Sequence, residues 1–148
     1  MKNPRTLALK ALMAFAKNGT HLSDTFDHLL GSELPLAKEL AFGTLRYQLK
    51  LSALLKKLND ERPVKVKSAI HWLARMAIYQ ALYMDKAPIY AIVHETIEMA
   101  KRVSPSQAKF LNALLRKIEP SMKEIHFNDY SIEYSLPSFL FPMMPKES

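Results

Sequence analysis

Apolar residues recur every three or four positions through most of residues 4–118, the spacing that places side chains on one face of an α-helix. The segment "KFLNALLRKI" (109–118) shows the pattern clearly. At about 100° per residue its apolar side chains share one face: Phe110, Leu111, Leu114, Leu115 and Ile118. Lys109, Asn112 and Arg116 fall on the opposite face. This polar stripe is either a solvated surface or a binding surface.

Caps and prolines divide the pattern into six predicted helices joined by short connections. Asn3-Pro4 and Ser104-Pro105 each combine an N-cap residue with a first-turn proline. The predicted helices are, in order, Pro4 to a stop at Lys17–Gly19, "DTFDHLL" capped by Ser23 and stopped by Gly31, Leu34–Leu58, Val64–Tyr83 with Pro63 in its first turn, Pro88–Val103, and Pro105–Ile118. We therefore predict an all-α, six-helix bundle.

A stripe of cations follows one face of the long predicted helix, where Gly43, Arg46, Lys50 and Lys57 are spaced by three, four and seven residues. A glycine inside a helix costs about 1 kcal/mol relative to alanine. Gly43 therefore indicates close approach by another group, or simple helix packing. The three cations form either a ridge for phosphates or a solvated face.

Aromatic residues are predicted to belong to the core rather than to base-stacking surfaces, because they stand in apolar helical context. The residues concerned are Phe42, Tyr47, Trp72, Tyr79 and Tyr83. The run "ARMAIYQALYM" (74–84) is apolar around most of its circumference, which predicts a central helix.

The character of the chain changes after Pro120, where proline and aromatic residues are frequent and no helical period remains. We divide the chain into a helical domain at residues 1–118 and an irregular tail or linker at 119–148. The apolar "FLFPMMP" argues against a disordered tail. The tail is either a strap across the bundle or the edge of a second domain.

Composition adds a charge asymmetry to this picture. Residues 1–118 carry 19 Lys and Arg against 9 Asp and Glu, a net charge of +10, and residues 119–148 carry a net charge of −3. A basic body is compatible with an anionic partner such as nucleic acid, although many basic proteins have none. The 148 residues suit one domain, and we expect no membrane partner and a cytoplasmic location, since the sequence shows neither an apolar span nor a secretion signal.

Catalytic and metal-binding patterns are absent from the sequence. There is no Cys and no Gly-rich phosphate loop, and "HETIE" (94–98) lacks the second His of a zinc-protease motif. Asp24, Asp27 and His28 share a predicted helix face, for which a polar surface is a simpler explanation than a metal site. We expect no cofactor, no metal and no catalytic residue.

Four stretches in series resemble the NusB-like RNA-binding domain, and most closely the N-terminal domain of the Sun/RsmB family of 16S ribosomal RNA (cytosine-5-)-methyltransferases. They are "NPRTLALKAL" (3–12), "AFGTLRYQLKL" (41–51), "IYQALYMDKAPIYAIVHETIEMAKR" (78–102) and "KFLNALLRKI" (109–118). The chain departs from many relatives at His94, where Asn is usual, and at Met76-Ala77, where Gly is common. "YSLPSFL" (134–140) resembles the segment leading into the methyltransferase domain, with Phe139 in place of Trp.

The resemblance implies a non-catalytic domain that positions small-subunit ribosomal RNA. Cytosine-5 methylation normally uses a Cys thiolate, which this chain lacks, and no Gly-rich S-adenosylmethionine site is seen. The implied partners are RNA and a methyltransferase domain in cis or in trans. A homodimer through the apolar tail, residues 136–145, is a further expectation. By position in the matching motifs, the predicted RNA-binding residues are Arg5, Arg46, Lys50, Lys109, Asn112, Arg116 and Lys117.

Two other functions stay open. One is a NusB-type antitermination factor that binds leader RNA together with a ribosomal protein. The other is a helical protein–protein adaptor. Asn112 is also compatible with a structural role that bonds a neighbouring helix, and Arg116 with an internal ion pair.

Overall fold

The computed structural model describes residues 3–27, 29, 31–84 and 87–134, with the backbone alone at Tyr130. Within these ranges the fold is all-α, as predicted, and contains no β-strand. The helices are α1 (Pro4–Asn18), α2 (Leu22–Phe26), α3 (Leu34–Arg46), α4 (Gln48–Leu58), α5 (Ser68–Tyr79), α6 (Ile89–Val103), α7 (Pro105–Leu115) and α8 (Tyr130–Glu133). A π-helical turn (Gln80–Met84) extends α5, and a 3-10 turn (Pro120–Glu124) follows α7. No helix of the described part has the length and apolar character to cross a membrane.

Three predicted helix ends are confirmed by their capping bonds. Asn3 Oδ1 accepts the Arg5 backbone N–H at 2.8 Å, and Ser104 Oγ accepts that of Gln107 at 3.4 Å. Gly19 ends α1 with φ +70°, a conformation that glycine adopts without steric cost. These side-chain bonds satisfy amide groups that helix termini leave without an intrahelical partner.

The prediction for the second helix is wrong in its cap and its length. His21 occupies the N-cap position of α2 without a side-chain bond, which places Ser23 inside the first turn. The helix ends at Phe26, well before Gly31. The suggested face of Asp24, Asp27 and His28 includes a residue, His28, that lies outside the described residues.

The long predicted helix is in fact two helices, because Tyr47 leaves helical geometry with φ −105° and ψ 19°. Lys50 is buried while Arg46 and Lys57 are exposed, so the three cations of the stripe do not form one exposed ridge. Gly43 does permit a close approach, since a Cβ atom there would overlap the ring of Tyr79. Tyr47 in turn stacks on the ring of Tyr83 with their centroids 5.5 Å apart. The packing of this tyrosine cluster therefore accompanies the break between α3 and α4.

The predicted start of the next helix at Val64, with Pro63 in its first turn, is also wrong. Residues 63–67 carry no helix, and α5 begins only at Ser68. Val64 and Val66 pack against the core, and the Lys67 N–H donates to the Gln107 side chain at 2.8 Å. These tertiary contacts stabilise a non-helical connection that local sequence does not reveal.

Two apolar clusters form the core, and α5 contributes to both, which confirms its central position. One cluster joins α4, α5, α6 and α7, and the other joins α1, α2, α3 and α5. Trp72 is buried as predicted, whereas Tyr47, Tyr79 and Tyr83 are half-buried and stacked on one another. The prediction that Phe42 is a core residue is wrong, since the side chain is 46% exposed.

The described part of the tail, residues 119–134, crosses the bundle and is called the strap below. Met122 is buried, and Ile125 and Phe127 pack against the core cluster. Glu133 reaches α4, where its Oε1 lies 2.7 Å from Lys50 Nζ. Of the two alternatives for the tail, a strap across the bundle therefore describes residues 119–134. The apolar stretch 136–145, on which the dimer prediction rests, lies outside the described residues.

Candidate nucleic-acid interface

An open groove of about 710 Å³ lies between α6 and α7. Its floor is formed by apolar residues of both helices, among them Val93, Ile97 and Ala108. Polar and charged side chains of α6 form one wall, and those of α7 form the other. The groove thus combines apolar surface with a charged rim, the combination that small ligands and nucleobases use.

The α7 wall carries Lys109, Asn112 and Arg116, the polar stripe seen in the sequence. Their spacing of three and four residues keeps them on one side of the helix, while Leu111 and Leu115 on the other side are buried. Arg116 Nε donates to Asn112 Oδ1 at 3.3 Å. This bond holds the two side chains together on the surface.

The α6 wall carries Tyr90, His94, Glu98 and Lys101. Tyr90 is 78% exposed, the highest exposure among the large hydrophobic side chains of the described part. Lys101 Nζ lies 3.1 Å from Glu98 Oε1, and the hydrogen bond and charge of Lys101 lower the pKa of that carboxyl. The wall therefore offers an aromatic ring beside an ion pair.

Charge in the groove is predominantly positive. Lys101, Lys109 and Arg116 contribute three cations, against one carboxylate at Glu98. Exposed cations attract phosphate groups. The ion pair between Lys101 and Glu98 is exposed to water and contributes little to folding stability, so Lys101 keeps its mobility.

The other four residues predicted to bind RNA do not line the groove. Arg46 is exposed and lies over the ring of Tyr47 at 5.4 Å. Arg5 Nε donates to Gln80 Oε1 at 3.1 Å, and burial lowers the pKa of the Arg5 guanidinium.

Lys50 and Lys117 each have a partner within the protein. Lys117 Nζ donates to the Leu58 carbonyl at 3.1 Å, and Lys50 is buried against Glu133. Burial favours the neutral amine of Lys50, but its hydrogen bond with Glu133 and its electrostatic interactions with Tyr83 and Glu133 outweigh burial and raise its pKa. Of the seven predicted residues, the structure brings Lys109, Asn112 and Arg116 together.

The predicted site residues did not include the α6 wall of the groove, which consists of Tyr90, His94, Glu98 and Lys101. They follow helical spacing along α6, and Tyr90 occupies a position that the helical period exposes. That exposed aromatic was the available signal. Its meaning depends on α6 lying beside α7, which the pattern of α6 alone does not show.

The sequence of this chain is similar to those of known proteins. A family model described as the NusB family matches residues 2–120. The "Probable ribosomal RNA small subunit methyltransferase B" of Bacillus subtilis (strain 168) is 34% identical over 122 residues, covering 78% of this chain and 27% of that protein. The "Ribosomal RNA small subunit methyltransferase B" of Escherichia fergusonii is 29% identical over 152 aligned positions, covering 98% of this chain and 35% of that protein.

The same description and degree of similarity apply to the protein of Escherichia coli O127:H6. The chain spans roughly a quarter to a third of the length of these curated relatives, and it matches their N-terminal part.

Proposed function

The chain belongs to the NusB family, and from this premise we propose that it binds small-subunit ribosomal RNA through the groove between α6 and α7. The observation that carries the proposal is the gathering of three cations and an exposed tyrosine around one apolar floor. The cations suit backbone phosphates, and the ring and floor suit bases.

We propose further that the chain positions RNA for methylation without itself catalysing the reaction. The support is twofold. Relatives of the chain are named small-subunit ribosomal RNA methyltransferases, and the chain itself contains no Cys to add to a cytosine ring. A methyltransferase domain, in cis or in trans, would then be its partner in the cytoplasm.

Salt dependence of binding tests the RNA proposal directly. Three phosphate contacts to the single-stranded loop of an RNA hairpin predict a log–log slope of roughly −2, which is about a twentyfold loss of affinity between 50 and 200 mM salt. Fluorescence anisotropy with a small-subunit ribosomal RNA hairpin measures this slope. The variant Lys109→Glu/Arg116→Glu should bind at least tenfold more weakly and with a shallower slope.

The matched control is Lys10→Glu/Lys38→Glu, which makes the same charge change at exposed residues of α1 and α3. Helices α1 and α3 belong to a different core cluster from α6 and α7, which form the groove. Equal weakening by both variants would mean that net charge, and not the groove, governs binding. A failure of wild-type protein to bind RNA at low salt would refute the proposal.

A protein–protein adaptor is the second candidate, because the apolar floor would also accept the apolar face of a partner helix. Apolar contacts are weakly affected by salt. Salt-insensitive binding of a methyltransferase domain that survives Lys109→Glu/Arg116→Glu, without RNA affinity, would favour this alternative.

A further inference from the structure

We propose that the α6–α7 groove selects an unpaired base with a keto oxygen at O4 of uracil or O6 of guanine over one with an amino group at that position, with Tyr90 stacking on the base and Asn112 contacting its edge. This inference rests on the proposed RNA-binding function and specifies which part of the RNA the groove recognises. It follows from the hydrogen-bonding groups on the two walls.

The orientation of Asn112 is the first step. An arginine side chain only donates hydrogen bonds, so the Asn112 oxygen must face Arg116 Nε, 3.3 Å away. The amide nitrogen then faces away from the guanidinium and offers two N–H donors to a ligand. Reversing the amide would set N–H groups against the guanidinium, which excludes the opposite orientation.

The remaining groups of the α7 wall are donors as well. Lys109 carries an ammonium, and Arg116 has guanidinium N–H groups beyond the one bound to Asn112. With Lys109 and Arg116 engaged by phosphates, the N–H groups of Asn112 pair with base edges that accept, such as O4 of uracil and O6 of guanine. An exocyclic amino group, at N4 of cytosine or N6 of adenine, would face these donors without an acceptor and bind more weakly.

Stacking supplies the second half of the recognition. Tyr90 stands on the opposite wall and is 78% exposed, so its ring face is accessible to a base. A base stacked there would extend its edge across the groove toward α7. Because both faces of a paired base are stacked and its Watson–Crick edge is occupied in a duplex, the arrangement favours a nucleotide outside a helix.

Uridine and cytidine octamers provide a matched pair of probes, since the two differ in the base only by the keto or amino group at carbon 4 and the proton at N3. We expect the wild-type protein to bind the uridine octamer about fivefold more tightly, the worth of one hydrogen bond of ordinary strength. Asn112→Ala should abolish this preference. Asn112→Asp should reverse it, because a carboxylate accepts from the cytosine amino group.

Tyr90→Ala should weaken both octamers at least fivefold, and Tyr90→Phe should retain affinity because phenylalanine keeps the stacking face. Tyr134→Ala is the control, since it removes another exposed tyrosine, from the end of the strap. Circular dichroism of each variant checks that it is folded.

The possible outcomes separate this inference from the RNA-binding proposal. Salt-dependent binding of the ribosomal RNA hairpin, together with equal affinity for the two octamers, would overturn the keto selection and leave RNA binding intact. Unchanged octamer binding by Tyr90→Ala would overturn the stacking role. Loss of all RNA binding, hairpin included, would overturn both proposals.

Discussion

Removal of the Glu133 carboxylate should detach the strap from α4 at a measurable cost in stability. Glu133 Oε1 lies 2.7 Å from Lys50 Nζ, and each side chain is 9% exposed. The other carboxylate oxygen accepts the Phe127 backbone N–H, and His126 Nδ1 lies 3.1 Å from Oε1. One carboxylate therefore joins α8, the preceding loop and α4.

The size of the expected loss of stability follows from the burial of the Lys50–Glu133 pair. Breaking a buried ion pair by removing one partner costs about 3–5 kcal/mol, because the remaining charge is left without compensation. Each of the two side chains keeps 9% of its surface exposed to water, which places Glu133→Ala near the lower end, at about 3 kcal/mol. For a chain of this length that corresponds to a fall in Tm of roughly 10 °C.

Urea unfolding of Glu133→Gln, Lys50→Met and the double variant measures the pair by itself. We expect a coupling free energy of about 2 kcal/mol between the two sites, within the range for residues in contact. The exposed pair Lys57–Glu61, with its N–O distance of 3.2 Å at the end of the same helix, is the control. Its coupling should be below about 0.5 kcal/mol.

A coupling energy for Lys50 and Glu133 as small as that of the control pair would refute this reasoning. Such a result would mean that desolvation of the two charges cancels their attraction, and that apolar contacts of the strap hold it in place.

Three further predictions concern the helices. Gly43→Ala should destabilise the protein by about 1–2 kcal/mol in urea unfolding, since the new methyl group meets the Tyr79 ring, yet it should stabilise a Tyr79→Ala background, where helix propensity alone remains. Ser104→Ala removes an N-cap and should lower the unfolding free energy by about 1 kcal/mol, whereas Ser106→Ala should leave it nearly unchanged; equal effects would contradict the capping role. Burial lowers the pKa of His71 to about 4, so the folded protein keeps this imidazole neutral. The stability of the protein should therefore fall as the pH drops from about 6.5 to 4. A His71→Gln variant that loses stability equally steeply over that interval would disprove this.

Helix starts were predictable where capping is local. Asn3 and Ser104 each place a side-chain oxygen and a proline next to the amides they serve, so a few consecutive residues determine the structure. The break at Tyr47 lacks such a signal, because it involves no glycine or proline. It coincides with ring contacts to Tyr79 and Tyr83, more than thirty residues away in the chain.

The part of the candidate interface that lies on α7 was predictable from the sequence. The spacing of Lys109, Asn112 and Arg116 was sufficient to place them on one face of α7. Tyr90 belongs to another helix, and its position opposite Asn112 depends on tertiary packing. Lys50 could not be distinguished from an exposed cation by sequence, since its partner Glu133 is 83 residues away.

The shared position of α5 between the two core clusters has a consequence for local opening of the fold. Trp72 and Met76 belong to the cluster built with α1, α2 and α3, whereas Leu73 and Ile78 belong to the cluster built with α4, α6 and α7. Either group of outer helices can loosen while the opposite cluster still holds α5. The backbone amides of α5 should therefore exchange with solvent deuterium only through global unfolding, and those of the outer helices through smaller, more frequent openings.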